Sequence, residues 1–293
     1  ADFTAGRSAR VRLVLPFLVL AAFAIGNAGR ASAAQELVRF ERAPYRVAQI
    51  QRQQARERGE PGPPGPDIIS GYLSKPDGDG PFPAVIYLHG CAGLSASNRD
   101  RISQLMTGLG YVSLAVDSFT TRGIKEACNG GSIARRMADA LGGLLYASKL
   151  PYVDPKRIAV VGSSQGGVAV MGLASVHSVN IYAIPDDLTF KAAVAFYPLC
   201  SIASQQLAIP TLILIGALDD WTPADNCERW MWLRAGRGAP VQLTVYPGAY
   251  HAFDIPTLQD GRKYFGHWLK YDADATHRAN AAMHDFLAEQ LAK

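Results

Sequence analysis

The sequence predicts an α/β fold in which a mostly parallel central sheet is covered by helices on both faces. Short apolar runs without polar alternation, such as residues 84–88 and 211–215, are typical of strands buried on both faces. Segments with a helical spacing of apolar residues separate these runs, and strands that alternate with helices form parallel sheets. In addition, the strand at residues 158–161 passes through a glycine- and serine-rich turn directly into a small-residue helix.

These elements form one domain over residues 67–293, with no internal repeat and no second domain. An edge strand is predicted at residues 68–74. Further strands are predicted at residues 84–88, 111–116, 158–161, 192–197, 211–215 and 241–246, with helices near residues 102–109, 133–145, 168–174 and 273–291. Only 13 residues separate the strand ending at Tyr197 from the strand beginning at Thr211, which is too few for a large cap domain.

Residues 34–66 precede this domain and are interpreted as an N-terminal extension. Residues 36–58 are rich in Gln and Arg and are predicted to be helical in part. The Pro/Gly-rich run at residues 60–66 is typical of a stiff linker, which would end that helix.

A secretory signal peptide is predicted over residues 1–33. Three arginines precede an apolar run at residues 13–25, and Ala-Ser-Ala at residues 31–33 matches a cleavage site. A stable membrane anchor is not expected, because the run is short for a bilayer span and Pro16 interrupts it. The mature protein is therefore expected to be periplasmic or secreted.

The charge balance gives no indication of a nucleic-acid partner. Residues 1–33 carry four arginines and one aspartate, so they account for +3 of the formal net charge of +4. The mature part is close to neutral, and the basic balance belongs mostly to the targeting segment. No Cys/His spacing is typical of a zinc site, so neither a metal nor another cofactor is expected.

Four cysteines in an exported chain predict two disulfides, with four buried thiols as the alternative. Cys91 and Cys128 follow two neighbouring strands of the predicted sheet, and Cys200 and Cys227 flank the strand at residues 211–215. Adjacent loops at one end of a sheet can bring Cα atoms within the roughly 4.4–6.8 Å that a disulfide requires. Any other pairing would have to span the G-x-S-x-G turn. We therefore predict Cys91–Cys128 and Cys200–Cys227.

The G-x-S-x-G motif at residues 162–166 places Ser164 at the centre of the strand-to-helix turn. Such a turn lifts the serine Oγ clear of the sheet, above the positive end of the following helix. The alternative interpretation is an ordinary Gly/Ser-rich turn. A serine nucleophile needs a general base that a carboxylate orients. Candidates follow the next strands: Asp219 or Asp220 after residues 211–215, and His251 after residues 241–246.

Serine hydrolases whose nucleophile lies on a strand-to-helix turn of this kind carry their catalytic residues in the order serine, aspartate, histidine. Two backbone N–H groups are expected to form an oxyanion hole, those of Gln165 and Cys91. His89, at the end of the strand at residues 84–88, is a candidate second base, but a structural hydrogen-bonding role is favoured. The three histidines near the C-terminus are interpreted as surface residues (His267, His277 and His284).

Several segments resemble the dienelactone hydrolase family of α/β-hydrolases. They are PFPAVIYLHGCAG, VSLAVDSF, VDPKRIAVVGSSQGG, LIGALDDWTPA and YPGAYHAFD, and the resemblance runs from about residue 67 to residue 293. The resemblance implies Ser164 as nucleophile, His251 as base and Asp219 as acid, four residues before Pro223. The founding enzymes carry cysteine at the elbow and open lactones, whereas this chain has serine, which indicates a general serine esterase.

The resemblance also implies a carboxylate-binding arginine in the loop that holds Arg122. This arginine either binds an acidic substrate or pairs with a surface carboxylate. The site is expected to be open, with Phe119, Trp221 and Tyr250 as walls. The expected function is hydrolysis of small-molecule carboxylic esters, with lactones as a further substrate class. An exported peptidase or amidase, a thioesterase and an inert ligand-binding scaffold remain the alternatives.

Overall fold

The computed structural model describes residues 35–292, so the signal peptide predicted at residues 1–33 lies outside the described residues. The strands are β1 (Glu36–Glu41), β2 (Ile68–Ser74), β3 (Phe82–Leu88), β4 (Val112–Asp117), β5 (Val153–Ser163), β6 (Ala192–Phe196), β7 (Thr211–Gly216), β8 (Val241–Tyr246), β9 (Arg262–Tyr264) and β10 (His267–Leu269). The α-helices are α1 (Arg46–Arg58), α2 (Ala96–Gly108), α3 (Ile133–Ala147), α4 (Gln165–Ala174), α5 (Ala224–Arg234) and α6 (Ala273–Leu291).

Eight strands form one sheet in the order β1-β2-β4-β3-β5-β6-β7-β8. The six strands β4, β3, β5, β6, β7 and β8 are parallel to one another, and β1 and β2 add an antiparallel edge. The central strands β4, β6 and β7 are buried along their whole length. Burial on both faces explains why their sequences are continuous apolar runs, and it confirms the mostly parallel α/β fold.

Right-handed crossovers place the helices on both faces of the sheet. The crossover through α2 moves the chain from β3 to β4 in one direction, whereas the crossover through α3 moves it from β4 to β5 in the other. Because crossovers between parallel strands of one sheet are right-handed, these opposite directions put α2 and α3 on opposite faces. Helix α4 packs beside α3, and α6 packs across β5, β6 and β7.

The N-terminal stretch contributes to the sheet, which corrects one prediction. Residues 68–74 were expected to form the edge strand, but β1 pairs along the whole of β2, from Glu36 opposite Leu73 to Glu41 opposite Ile68. Only Val38 and Phe40 of β1 are buried, so its apolar signal is too short to predict a strand. Helix α1 follows, in agreement with the partly helical character expected for residues 36–58.

A two-stranded hairpin of β9 and β10 was not predicted from the sequence. Its turn consists of Phe265 (φ +49°) and Gly266 (φ +86°), the two positive φ angles that a tight hairpin turn uses. Strands of three residues are too short to show a period, which explains why no pattern indicates them. Among residues 35–292, no helix combines the length and apolarity needed to cross a bilayer.

The close contact between α3 and the end of β1 gives a test of the N-terminal packing. A Cβ atom on Gly142 would lie 2.7 Å from the Arg42 Cα and would also meet the Glu41 carbonyl oxygen. We expect Gly142→Ala to lower the free energy of unfolding by about 1–3 kcal/mol, because overpacking against backbone forces a shift. Urea unfolding would measure the free energy of unfolding of Gly142→Ala and of a control variant, Gly108→Ala.

Gly108 is the matched control because it also lies in a helix but has no atom within 4 Å of its would-be Cβ. We expect Gly108→Ala to be neutral or to stabilise by up to about 1 kcal/mol through helix propensity. Equal stabilities of the two variants would contradict the packing of α3 against the residues that follow β1.

Candidate active site

The turn between β5 and α4 holds Ser164 in a backbone conformation that serine rarely adopts, with φ +54° and ψ −119°. The residues two positions before and two positions after it must be glycine. A Cβ atom on Gly162 would lie 2.5 Å from the Gly166 carbonyl oxygen, and one on Gly166 would lie 2.6 Å from the His89 carbonyl oxygen. The turn thus has the strained strand-to-helix geometry that the motif predicts.

The structure brings Ser164, His251 and Asp219 together from three loops. The His251 Nε2 lies 3.0 Å from the Ser164 Oγ, and the His251 Nδ1 lies 2.8 Å from the Asp219 Oδ2. Both His251 and Asp219 are almost fully buried. A carboxylate can only accept, so Nδ1 carries the proton and Nε2 is left to accept from the serine hydroxyl.

Backbone and side-chain donors hold the Asp219 carboxylate in place. The N–H groups of Trp221 and Thr222 donate to Oδ1 at 2.9 and 2.8 Å, and the Thr222 hydroxyl donates to Oδ2 at 2.9 Å. The neighbouring Asp220 points elsewhere: its Oδ1 accepts from the Trp268 N–H at 3.1 Å and lies 3.6 Å from the His267 Nδ1. Of the two candidate acids, only Asp219 contacts His251 in the described part of the chain.

The two N–H groups expected to form the oxyanion hole lie close to Ser164. The Gln165 N–H belongs to the first turn of α4, where N–H groups have no partner inside the helix. The Gly90 carbonyl accepts from the Gly93 N–H at 3.3 Å. Because N–H and C=O point in opposite directions across a peptide plane, the Cys91 N–H is aimed away from Gly93. Cys91 and Ser164 line the same cavity.

His89 has the structural role that was favoured for it. It is fully buried, and burial lowers its pKa well below the ordinary histidine value, with the nearby Arg136 charge as a second cause. Its Nε2 accepts from the Ser118 N–H at 3.4 Å, so the proton is on Nδ1, 2.7 Å from the Gly90 carbonyl oxygen. Neutral His89 therefore orients the Gly90–Cys91 peptide.

A cavity of about 380 Å³ opens beside Ser164. Trp221 lines it, as expected, but Phe119 and Tyr250 are not among its described lining residues. The Phe119 ring is buried against the His89 ring, with 4.6 Å between centroids. Sequence reasoning missed most of the other walls, which include Tyr87, Asn98, Ile255, Leu258, Arg262, Tyr264 and Leu269.

Arg122 does not line this cavity either. Its guanidinium forms a bidentate ion pair with Asp139, at 2.7 and 2.8 Å, and donates to Asp67 at 3.0 Å. Asp139 is fully buried on α3. Two roles were left open for Arg122, and its contacts in the structure are those of an ion pair, with a buried carboxylate in Asp139 and an exposed one in Asp67.

Both expected disulfides are present. Cys91 is bonded to Cys128 and Cys200 to Cys227, with Cα–Cα distances of 4.8 and 4.9 Å. The first bond joins the loop after β3 to the loop after β4, where the Ala127 N–H also donates to the Cys91 carbonyl at 2.8 Å. In the described residues, no three His, Cys, Asp or Glu side chains gather as a metal site.

The sheet order, the strained serine after β5, and the acid and histidine after β7 and β8 define the α/β-hydrolase class. Within that class the sequence can be assigned further. Residues 69–291 match the model of the dienelactone hydrolase family, and the chain belongs to this family.

The proteins that are similar in sequence carry different names. The chain is 27% identical over 216 residues to a Mycobacterium tuberculosis protein named "Putative phosphoribosyl transferase", a match that covers 70% of this chain and 44% of that protein. It is 24% identical over 234 residues to a "Putative carboxymethylenebutenolidase" of Methylorubrum extorquens, covering 69% and 77% of the two chains. The chain thus spans less than half the length of the mycobacterial relative.

A solved structure has the same fold. A dienelactone hydrolase-like promiscuous phosphotriesterase from metagenomic libraries superposes with a TM-score of 0.62 at 20% identity. The superposition covers 88% of this chain and 99% of that protein. At 20% identity, this similarity shows a shared fold alone.

The two disulfides close loops of similar length, with sequence separations of 37 and 27 residues, so removing either should cost a similar stability, about 4 kcal/mol. Their effects on Ser164 should differ, because Cys91 lines the cavity whereas Cys227 is buried against the Pro198 carbonyl. We expect the Cys91→Ser/Cys128→Ser pair to slow labelling of Ser164 by a fluorophosphonate more than the Cys200→Ser/Cys227→Ser pair does. Labelling rates and melting temperatures would be measured together, and equal labelling rates would contradict the expectation.

Proposed function

We propose that this protein hydrolyses small-molecule carboxylic esters through an acyl-enzyme formed on Ser164. The observation that carries the proposal is the continuous chain of hydrogen bonds from Asp219 through His251 to the Ser164 Oγ, with distances of 2.8 and 3.0 Å. Membership of the dienelactone hydrolase family supports the hydrolase class. Serine at the elbow, in place of the founding enzymes' cysteine, favours esters over lactones.

In the proposed reaction, the His251 Nε2 takes the Ser164 proton while the Oγ attacks the ester carbonyl carbon. The carbonyl π electrons move onto its oxygen, which becomes the oxyanion. Asp219 accepts a hydrogen bond from the His251 Nδ1–H throughout the reaction and stabilises the imidazolium that forms. Collapse of the tetrahedral intermediate breaks the bond to the alcohol oxygen, which takes the proton from Nε2. A water molecule then repeats the cycle on the acyl-enzyme.

The N–H groups of Gln165 and Cys91 are the proposed donors to the oxyanion. They would act in a site where His251 and Asp219 are already shielded from water, so that each donor contributes more than it would in solution. The cavity volume of about 380 Å³ suits a small ester. Its described lining holds no Asp or Glu side chain, so anionic esters would meet no carboxylate there.

Export to an oxidising compartment is part of the proposal. Two features support it: the two disulfides, and the signal-peptide pattern of residues 1–33. An amidase or peptidase would use the same groups, and a binding scaffold would use none of them. Assays on p-nitrophenyl esters, lactones and peptide anilides, together with fluorophosphonate labelling, would separate these possibilities.

Replacing the nucleophile is the direct test. We expect Ser164→Ala to lower kcat on p-nitrophenyl esters by roughly a million-fold while the fold is retained, because the attacking oxygen is lost and little packing changes. Ser163→Ala is the matched control, since it removes an identical hydroxyl one residue away that contacts the Tyr87 hydroxyl at 3.2 Å. A dead Ser163→Ala with an active Ser164→Ala would refute the assignment.

The two adjacent aspartates give a second matched pair. We expect Asp219→Asn to lower kcat by roughly ten-thousand-fold, because the amide no longer favours the Nδ1–H tautomer of His251. Asp220→Asn should have a far smaller effect, since its Oδ1 serves the Trp268 N–H instead. Steady-state kinetics with the reverse ranking would move the acid to Asp220.

A further inference from the structure

Arg136 is a buried cation on α3 that the proposed reaction does not use. It is only 3% exposed, and burial lowers its pKa to about 10, so it remains charged at neutral pH. Among the described residues, no carboxylate accepts a hydrogen bond from it, and its Nε is buried without a partner. The nearby Asp139 is already engaged by Arg122. The Phe119 ring, with its centroid 5.3 Å from the guanidinium carbon, and the charge of Asp139 offset part of the cost of burying this cation.

The hydrogen bonds of Arg136 lead to both proposed oxyanion donors. Its Nη1 donates to the Gln165 Oε1 at 2.8 Å, and its Nη2 donates to the His89 carbonyl. Gln165 provides one oxyanion N–H, and His89 orients the Gly90–Cys91 peptide that provides the other. The guanidinium therefore bridges the start of α4 and the loop after β3.

The Gln165 side chain completes a second connection between the same two elements. Its Nε2 donates to the Ala127 carbonyl at 2.9 Å, and the Ala127 N–H donates to the Cys91 carbonyl at 2.8 Å. The Cys91–Cys128 bond closes this path covalently. The amide of Gln165 thus accepts a hydrogen bond from Arg136 through its oxygen and donates one through its nitrogen to the segment that is bonded to the Cys91 loop.

We propose that Arg136 is a positioning residue for acyl transfer, which acts through the Gln165 side chain and the His89 carbonyl to hold the two oxyanion N–H groups at their working separation. The inference rests on the proposed function, since it concerns the oxyanion of that reaction. The buried positive charge behind the donors also favours the negative charge that develops there.

Neither Arg136 nor Gln165 is among the described residues that line the cavity, which separates this role from substrate binding. Loss of the bridge should therefore lower kcat and leave KM nearly unchanged. Small displacements of catalytic groups cost up to about 100-fold in rate, so we expect Arg136→Met to lower kcat by about 10–100-fold. Arg136→Lys should recover part of this loss, because lysine keeps the charge and can reach one acceptor.

Gln165→Met tests the same bridge without removing a buried charge, and it remains informative if Arg136→Met fails to fold. We expect a similar kcat loss, and a loss in the double variant smaller than the product of the two single losses, because both changes break the bond between Arg136 and Gln165. Arg135→Met is the matched control: it removes the same charge from the adjacent, exposed residue of α3 and should behave as the wild-type protein.

The experiment measures kcat and KM on p-nitrophenyl acetate and butyrate, per active site titrated with a fluorophosphonate. It also measures inhibition by a short-chain trifluoromethyl ketone, whose hemiketal carries an oxyanion. A positioning role predicts that inhibitor affinity falls in proportion to kcat/KM across the variants. A merely structural role would reduce the titratable fraction and leave the inhibition constant of the remaining sites unchanged, which would overturn the proposal.

The two proposals fail in different ways. Wild-type protein that neither hydrolyses esters nor reacts with the fluorophosphonate would overturn the proposed function, and the role of Arg136 with it. Active wild-type protein whose Arg136→Met, Arg136→Lys and Gln165→Met variants keep wild-type kcat per titrated site would overturn the role of Arg136 alone.

Discussion

The strained backbone of Ser164 is the constraint on which the rest of the site depends. Its positive φ exists only because α4 turns back sharply against β5, and that turn leaves no room for Cβ atoms at Gly162 and Gly166. The second contact of this turn is with the end of β3, at the His89 carbonyl. The packing that strains the serine therefore also places the loop after β3 beside it.

Hydrogen bonds join the polar groups around this turn into a connected set. His89 is neutral because burial disfavours its charge, and it donates to the Gly90 carbonyl. Arg136 stays charged and donates to His89 and Gln165. Buried polar networks of this kind favour a single arrangement of their side chains. Any other arrangement would leave buried polar groups without hydrogen-bond partners, which is costly in free energy. The loops at the carboxyl ends of the strands are thus ordered by hydrogen bonds and disulfides in addition to their apolar packing.

The open side of the site is shaped by the hairpin of β9 and β10. Trp221 stacks on His267 of the hairpin at a centroid distance of 4.9 Å, and Asp220 accepts from the Trp268 N–H. The loop that carries Asp219 is therefore joined to the hairpin that brings Tyr264 to the cavity. In place of a cap domain, a short hairpin and one aromatic side chain form the wall next to His251.

The preference for Asp219 over Asp220 came from the resemblance to a family. The sequence by itself determined how the central strands and helices follow one another along the chain, the elbow at Ser164, the position of His251 after a strand, and the pairing of the four cysteines. These follow from local patterns, because burial on both faces produces apolar runs and parallel strands bring their carboxyl ends to one edge. Tertiary structure alone decided the edge position of β1, the hairpin, and the surroundings of Arg122 and Phe119. Arg122 meets Asp139 on another element, and no periodicity in the chain records which side chains meet when separate loops and helices pack together.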